Sequence, residues 1–260
     1  MAAEFILSTA SLYGYELDHV FRMASKAGFQ GIELMVTSRE ETQSSTRPAE
    51  LSERYQLPVS SIHAPFLLAA MKVWGDPVTK IERAVGMAND LGSQVVVAHL
   101  PYFWQWSYAR WAHRNFNAYS KHSGTTVTME NAMMVKLWKP INLSLYNSLR
   151  DIRHFENITF DTSHFAVAGI DILRAWEELK DLVKHVHLSN NYMKGFDDHA
   201  LPFEGRLPLG EFLRLLHHDG YKGKVVLELG PGPLEARMGV KRIQYNLQRS
   251  LAYCLDHYQG

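Results

Sequence analysis

Short runs of β-branched and apolar residues recur along this chain, separated by longer stretches whose apolar positions repeat with helical spacing. Such an alternation buries both kinds of element by laying helices over a parallel sheet. The runs are FILST at residues 5–9, GIELMV at 31–36, VSSIHAP at 59–65, QVVVAHLP at 94–101, TTVTMEN at 125–131, ITFDTSH at 158–164, VKHVHLS at 183–189 and KVVLELG at 224–230. Helical spacing marks 16–27, 77–91, 171–182, 209–219 and 244–257, and Gly28, Gly92 and Gly220 follow three of these where a left-handed C-cap favours glycine. Eight βα units in 260 residues predict an α/β chain folded as a single-domain (β/α)₈ barrel over 1–260.

In such a barrel the reactive groups stand at the C-terminal ends of the strands. His63 ends the third run, His99 the fourth, Glu130 the fifth, Asp161 with His164 the sixth, His187 the seventh and Glu228 the eighth. The loop DDHALPFEG adds Asp197 and His199 over the same face. A low-dielectric mouth holding so many ionisable groups needs charge compensation, and bound cations are the simplest source. Imidazole and carboxylate donors without thiolates suit Zn²⁺ first, with Mn²⁺ or Fe as alternatives, and disfavour a structural zinc site. Nine donors exceed the needs of one four-coordinate ion, so up to three ions sharing carboxylates are expected, with Glu130 and Glu228 as catalytic groups.

Glu33, ending the second run, is expected to support this ring from behind or to touch substrate. His185 stands one residue away from His187 and is expected to face the opposite side of the strand in a structural role. The least regular segment, PYFWQWSYARWAHRNFNAYSKHSG at 101–124, reads as an amphipathic helix with an excess of aromatics that would wall a pocket. Phe66, Trp104 and Trp106, with Arg206 near the Asp197/His199 loop, are the expected substrate contacts.

Lysine plus arginine equals aspartate plus glutamate at 27 each, so bulk charge directs the chain neither to nucleic acid nor to an anionic membrane. Basic residues near the strand ends (Lys72, Arg110, Arg114, Lys136, Lys139, Lys194, Arg206) are scattered, which disfavours duplex DNA and favours a small sugar- or nucleotide-like substrate. Cys254 is the only cysteine and rules out an internal disulfide. The segment MAAEFILSTASLYGYELD has neither a basic n-region nor a span-length apolar run, so the expectation is a soluble cytoplasmic protein without membrane contact.

Taken in order, SIHAPFLL, VVVAHLP, TMEN, FDTSHFAVAGID, HVHLSN, DDHALPFEG and VLELGP resemble the xylose isomerase-like TIM-barrel superfamily, which includes sugar isomerases, epimerases and apurinic endonucleases of the endonuclease IV type (AP endonuclease family 2). In the endonuclease branch the matching positions carry a trinuclear zinc site. The resemblance therefore implies metal ligation by His63, His99, Glu130, Asp161, His164, His187, Asp197, His199 and Glu228. In the isomerase branch one ion is held at positions matching Glu130, Asp161, His187 and Glu228. Histidine at 63, 99 and 199 tilts the chain toward the multi-metal branch. Other features depart from the DNA-repair pattern: HLSNNYMKGFD is short and lacks an Asp-Ser-Lys run, NAMMVKLW lacks a glycine-rich segment, and Phe203 replaces the first glycine of a Gly-Glu-Gly-like turn. The resemblance implies a phosphoester hydrolase or, alternatively, a sugar or sugar-phosphate isomerase or epimerase. A catalytically silent metal- or ligand-binding barrel is the third reading.

Overall fold

The expected strands close on themselves. In the computed structural model, which describes residues 3–66, 72–132, 135–136 and 140–259, the barrel consists of β1 (Glu4–Ser8), β2 (Ile32–Met35), β3 (Val59–His63), β4 (Val95–His99), β5 (Thr126–Glu130), β6 (Ile158–Asp161), β7 (Val183–Leu188) and β8 (Lys224–Leu227). Every strand is parallel to the next, and β8 returns to β1 through pairs such as Leu7 with Leu227. Alternation along the strands divides them between two environments. Phe5, Leu7, Leu34, Ile62, Val96, Ala98, Val127, Met129, Phe160, Val186 and Leu188 join the apolar layer under the helices. The intervening residues face the barrel axis, where Thr128 Oγ1 and Thr159 Oγ1 lie 2.6 Å apart in a buried polar layer.

The helices α1 (Leu17–Ala27), α2 (Thr46–Tyr55), α3 (Pro77–Leu91), α4 (Trp106–His122), α7 (Ile172–Leu179), α8 (Leu209–His218) and α10 (Val240–Gln259) cover the outside, and short helices α5 (Leu149–Ile152), α6 (Thr162–Val167) and α9 (Pro231–Leu234) lie in the connections. Their boundaries follow local chemistry. Asp76 accepts from the amides of Val78 and Thr79 to open α3, with Pro77 at the first position, where its missing N–H costs nothing. Gly92 closes the same helix at φ +68°. The aromatic segment forms α4, with Tyr108, Ala112, Phe116 and Ser120 buried at every fourth position and Trp106 and Arg110 facing out. In α10 the buried residues Ile243, Leu247, Leu251, Cys254 and Tyr258 form one stripe, and the Tyr258 hydroxyl donates to Tyr221 O at 2.9 Å.

Several features depart from the sequence reading, α10 among them, which starts at Val240, four residues before the expected Gln244. β6 ends at Asp161 rather than running to His164, because the Asp161 carboxylate accepts from the His164 amide at 2.7 Å and caps the short helix α6 (Thr162–Val167). α7 stops at Leu179, three residues before the expected end, where the chain turns into β7 through a Leu182 N–H to Leu179 O bond. Between β5 and β6 lie a short antiparallel pairing of Val135–Lys136 with Pro140–Ile141 and the one-turn α5 (Leu149–Ile152), neither of which announces itself by periodicity. Among the described residues no helix is long and apolar enough to cross a membrane.

Candidate metal centre

At the C-terminal end of the barrel the register sets the strand-end side chains side by side: His99 is level with Glu130, and Asp161 with His187. His63 Nε2 and His99 Nε2 are 3.2 Å apart, and Glu130 Oε2 lies 2.8 Å from the second and 3.5 Å from the first. Glu130 Oε1 is 2.8 Å from His187 Nδ1, which is also 2.8 Å from Glu228 Oε2 and 3.8 Å from Asp161 Oδ2. Donors cluster a third time where Asp161 meets His164 and His199, with Asp197 Oδ2 lying 2.8 Å from His199 Nε2 and 3.3 Å from His164 Nε2. All nine expected ligands therefore converge. Glu130 belongs to two of these groups, and so does Asp161.

The imidazoles are aimed by what their other nitrogens touch. Nδ1 of His63 donates to Ala64 O at 3.0 Å, Nδ1 of His164 to Asn131 O at 2.7 Å, and Nδ1 of His199 to Glu228 O at 3.0 Å. A carbonyl only accepts, so each of these rings carries a proton on Nδ1, and in its neutral form presents the Nε2 lone pair to the cluster. Lone pairs facing carboxylate oxygens repel unless a metal ion or a proton lies between them. Glu130 Oε2 and Asp161 Oδ2 are buried with no hydrogen bond, although Glu130 Oε2 stands within 2.8 Å of an imidazole nitrogen. Donors around a tetrahedral Zn²⁺ at ordinary bond lengths would stand about 3.3 Å apart, close to the separations here. The residues fit divalent cations.

Without a cation, protons must supply the compensation. Burial opposes charge on His199, yet the facing Asp197 lifts its imidazole to about 10. Burial likewise opposes charge on His164 and His187, but Asp161 and Glu33 respectively, with other carboxylates nearby, hold both imidazoles well above the usual histidine range. Burial pushes the His99 imidazole down to about 4 and the Asp161 carboxyl up to about 6. Neighbouring groups of one kind driven in opposite directions mark a cluster of strongly interacting buried charges, the electrostatic setting typical of functional sites.

Loop geometry completes the third group. His199 adopts φ +42°, a left-handed conformation costing a side-chain-bearing residue roughly 1 kcal/mol or more. Its carbonyl is held by the Gly230 amide, and a Cβ on Gly230 would stand 2.5 Å from Asp198 O. Asp197 is anchored by the Ser163 hydroxyl at 2.7 Å, which in turn accepts from Asn191 Nδ2 at 3.0 Å. Asn131 clamps Asp161 at both ends of its backbone, donating to Asp161 O and accepting from Asp161 N. Neither Asn131 nor Ser163 is singled out by the sequence reading. Their adjacency in the chain to Glu130 and His164 respectively is the signal that would have found them.

His185 requires a correction. Residues i and i+2 of a strand share a face, so His185 and His187 both point to the barrel axis, leaving Val186 for the apolar layer. His185 Nε2 donates to Glu33 Oε2 at 2.7 Å. Glu33 is fully buried beneath the cluster against Ser61, His185 and His187, a placement behind His187 that makes it a support for the ring. Phe66 stacks on the His99 ring with centroids 3.3 Å apart. Phe66 and Trp104 line a cavity of about 240 Å³ beside His99, with Tyr102, Gln105 and Tyr108. Trp106 lies outside that lining, 70% exposed at the start of α4, and Arg206 is exposed, its amide donating to Asn191 O.

Comparison with known proteins agrees with this architecture. A profile of the xylose isomerase-like TIM barrel family matches residues 21–245. The chain belongs to that family. Uncharacterized proteins of Mycobacterium tuberculosis and Mycobacterium leprae are each 32% identical to it, the first alignment covering 96% of both chains and the second 86% of this chain and 87% of the relative. Among solved structures, a D-tagatose 3-epimerase-like protein superposes with a TM-score of 0.71 at 21% identity over 98% of both chains. An AP endonuclease, family 2, from Brucella melitensis superposes with a TM-score of 0.73 at 17% identity, over 96% of this chain and 99% of the other. At these identities the superpositions show the shared fold.

Proposed function

We propose that this chain is a divalent-metal-dependent hydrolase that cleaves a phosphoester or phosphodiester of a small sugar- or nucleotide-like substrate. The observation that carries the reading is the sharing of Glu130 and Asp161 between donor groups that are each separately complete. His63, His99 and Glu130 would hold one ion, and Glu130, Asp161, His187 and Glu228 a second. Asp161, His164 and His199, with Asp197 beside them, would hold a third. Zinc is the best match to this nitrogen and oxygen set. When bound, such ions supply concentrated positive charge and acidify water at neutral pH.

The chain's own residues orient and enclose. Glu130 bridges two groups, and the imidazoles facing it outweigh burial and hold its carboxyl well below the usual range, so it acts as fixed charge rather than as a proton store. Glu228, at the rim and 9% exposed, is placed to pass a proton between the cluster and solvent. The cavity lined by Phe66, Trp104 and Tyr108 suits the non-reacting part of a compact substrate better than a duplex. A cytoplasmic setting accords with Cys254 being free and buried in α10.

A second reading has its own support. Glu130, Asp161, His187 and Glu228 form a complete four-donor group, and several structures sharing the fold are sugar epimerases. In that reading one ion binds there, and Glu130 and Glu228 move a proton between adjacent carbons of a sugar. Elemental analysis together with a phosphomonoester, phosphodiester, abasic-DNA and ketose/aldose panel separates the two. Two or three metals per chain with phosphoester cleavage supports the hydrolase, whereas one metal with sugar epimerisation supports the alternative.

A further inference from the structure

Four histidines of the cluster have their second nitrogen engaged, and one is engaged differently from the rest. His63, His164 and His199 donate to backbone carbonyls, neutral groups fixed by the fold. His187 turns its Nε2 to Glu33, 3.1 Å from Oε1 and 3.3 Å from Oε2, and so presents Nδ1 rather than Nε2 to Glu130 and Glu228. Glu33 is itself held: Oε2 accepts from Ser61 Oγ at 2.9 Å and from His185 Nε2 at 2.7 Å. All four residues are buried at 0% exposure. His185 Nδ1 has no hydrogen bond, so the proton of that ring is accounted for by the bond to Glu33. The His187 ring donates to the same oxygen, Oε2, at 3.3 Å, while Oε1 has no hydrogen bond and stands 3.1 Å from Nε2, so the buried carboxylate directs its charge into that ring.

We infer that Glu33, clamped by Ser61 and His185, is a positioning residue that fixes His187 as the Nε2–H tautomer and strengthens Nδ1 as the ligand of the four-donor group. The inference rests on the metal-centre reading above. A carboxylate behind a ligating imidazole raises its basicity and locks its orientation, and loss of such a partner typically weakens metal binding by about 10–100-fold. The effect is centred on one ion, because His63, His164 and His199 lean on carbonyls that no side-chain substitution removes.

The test uses the full chain, stripped and reloaded with Zn²⁺ in competition with a chromogenic chelator. E33Q preserves volume and an acceptor oxygen while removing the charge. The expected result is that one metal equivalent binds about 10–100-fold more weakly while the remaining equivalents keep their affinity, with recovery in E33D, which restores the charge. Equal affinities in the wild-type chain and a folded E33Q overturn the inference and leave the metal-centre reading standing, whereas a wild-type chain that binds no metal overturns both. A measurement on the wild-type chain guards against misfolding of the variants. With isotope-labelled histidine and NMR-active Cd²⁺, the metal is expected to couple to Nδ1 of His187 while Nε2 keeps its proton. Coupling to His187 Nε2, or to neither nitrogen in a chain that binds Cd²⁺, would refute it.

Discussion

At the residue scale the site depends on single atoms whose roles separate on substitution. Glu130→Gln exchanges a bridging carboxylate for an amide of equal volume, and we expect a folded barrel that has lost most turnover and at least one metal equivalent. Unchanged turnover at full metal content would remove Glu130 from the assignment. His99 serves one donor group, whereas Asp161 serves two. His99→Ala should therefore cost one metal, and Asp161→Ala more than one, as read by elemental analysis of the purified variants. Comparable loss of activity in both supports a multinuclear site, while full activity in His99→Ala supports the single-ion alternative. Gly205 tests how the third group is held. It lies at φ +89°, and a Cβ there would stand 2.5 Å from Asn190 Oδ1, the atom that accepts from the Asn191 and Leu207 amides. Gly205→Ala combines backbone strain with displacement of that clamp, an expected cost of about 1–3 kcal/mol in denaturant unfolding. A loss under half a kilocalorie would show the loop repacking freely.

Elements differ in how openly the chain announces them. Strand ends were legible because β-branched runs stop at a histidine or carboxylate on successive strands, and the caps at Gly28, Gly92 and Gly220 take the left-handed φ that glycine there implies. The spacing of Asp161 and His164 looked like a strand continuing outward, whereas an Asp three residues before a helical amide is also an N-cap, and the cap prevailed. His185 and His187 flank a single residue and so share a face, because the strand period of two, not mere proximity in the chain, decides it. The pairing of Glu33 with His185 and His187 spans more than 150 positions and exists only because the barrel closes β7 and β2 around one axis, so no local pattern carries it. A local device can be tested alone. Asp76 caps α3, and hydrogen bonds from Thr79 and Val78 hold its carboxyl below the usual value. Its stabilisation is therefore present above the unfolded-state value of about 3.9 and is lost as pH falls through the lower folded-state value. Asp76→Ala should lower stability by about 1 kcal/mol at neutral pH, with the difference shrinking under acid titration. A deficit that grows as pH falls would contradict the cap assignment.

For the whole molecule, the barrel concentrates five carboxylates and six imidazoles at one end, with Glu33, Glu130, Asp161 and His187 at or below 1% exposure. Such a mouth is stabilised by whatever brings positive charge to it. Ions that bind only the folded chain add about 2.7 kcal/mol each at a hundredfold excess over their dissociation constant, so removing them with a chelator should lower the thermal midpoint by several degrees, reversibly on re-addition of Zn²⁺. An unchanged midpoint in a chain known to carry metal would mean that the cluster is equally satisfied by its own protons.

If nine strand-end and loop side chains form one multinuclear centre for phosphoester cleavage, as proposed, metal content per chain and turnover must rise together. The wild-type chain, purified without chelator and dialysed against Zn²⁺, should contain two or three ions per chain by elemental analysis and hydrolyse a small sugar phosphate or nucleotide ester at a rate that rises with metal content. One ion per chain, epimerisation of a ketose and no phosphoester cleavage would contradict it.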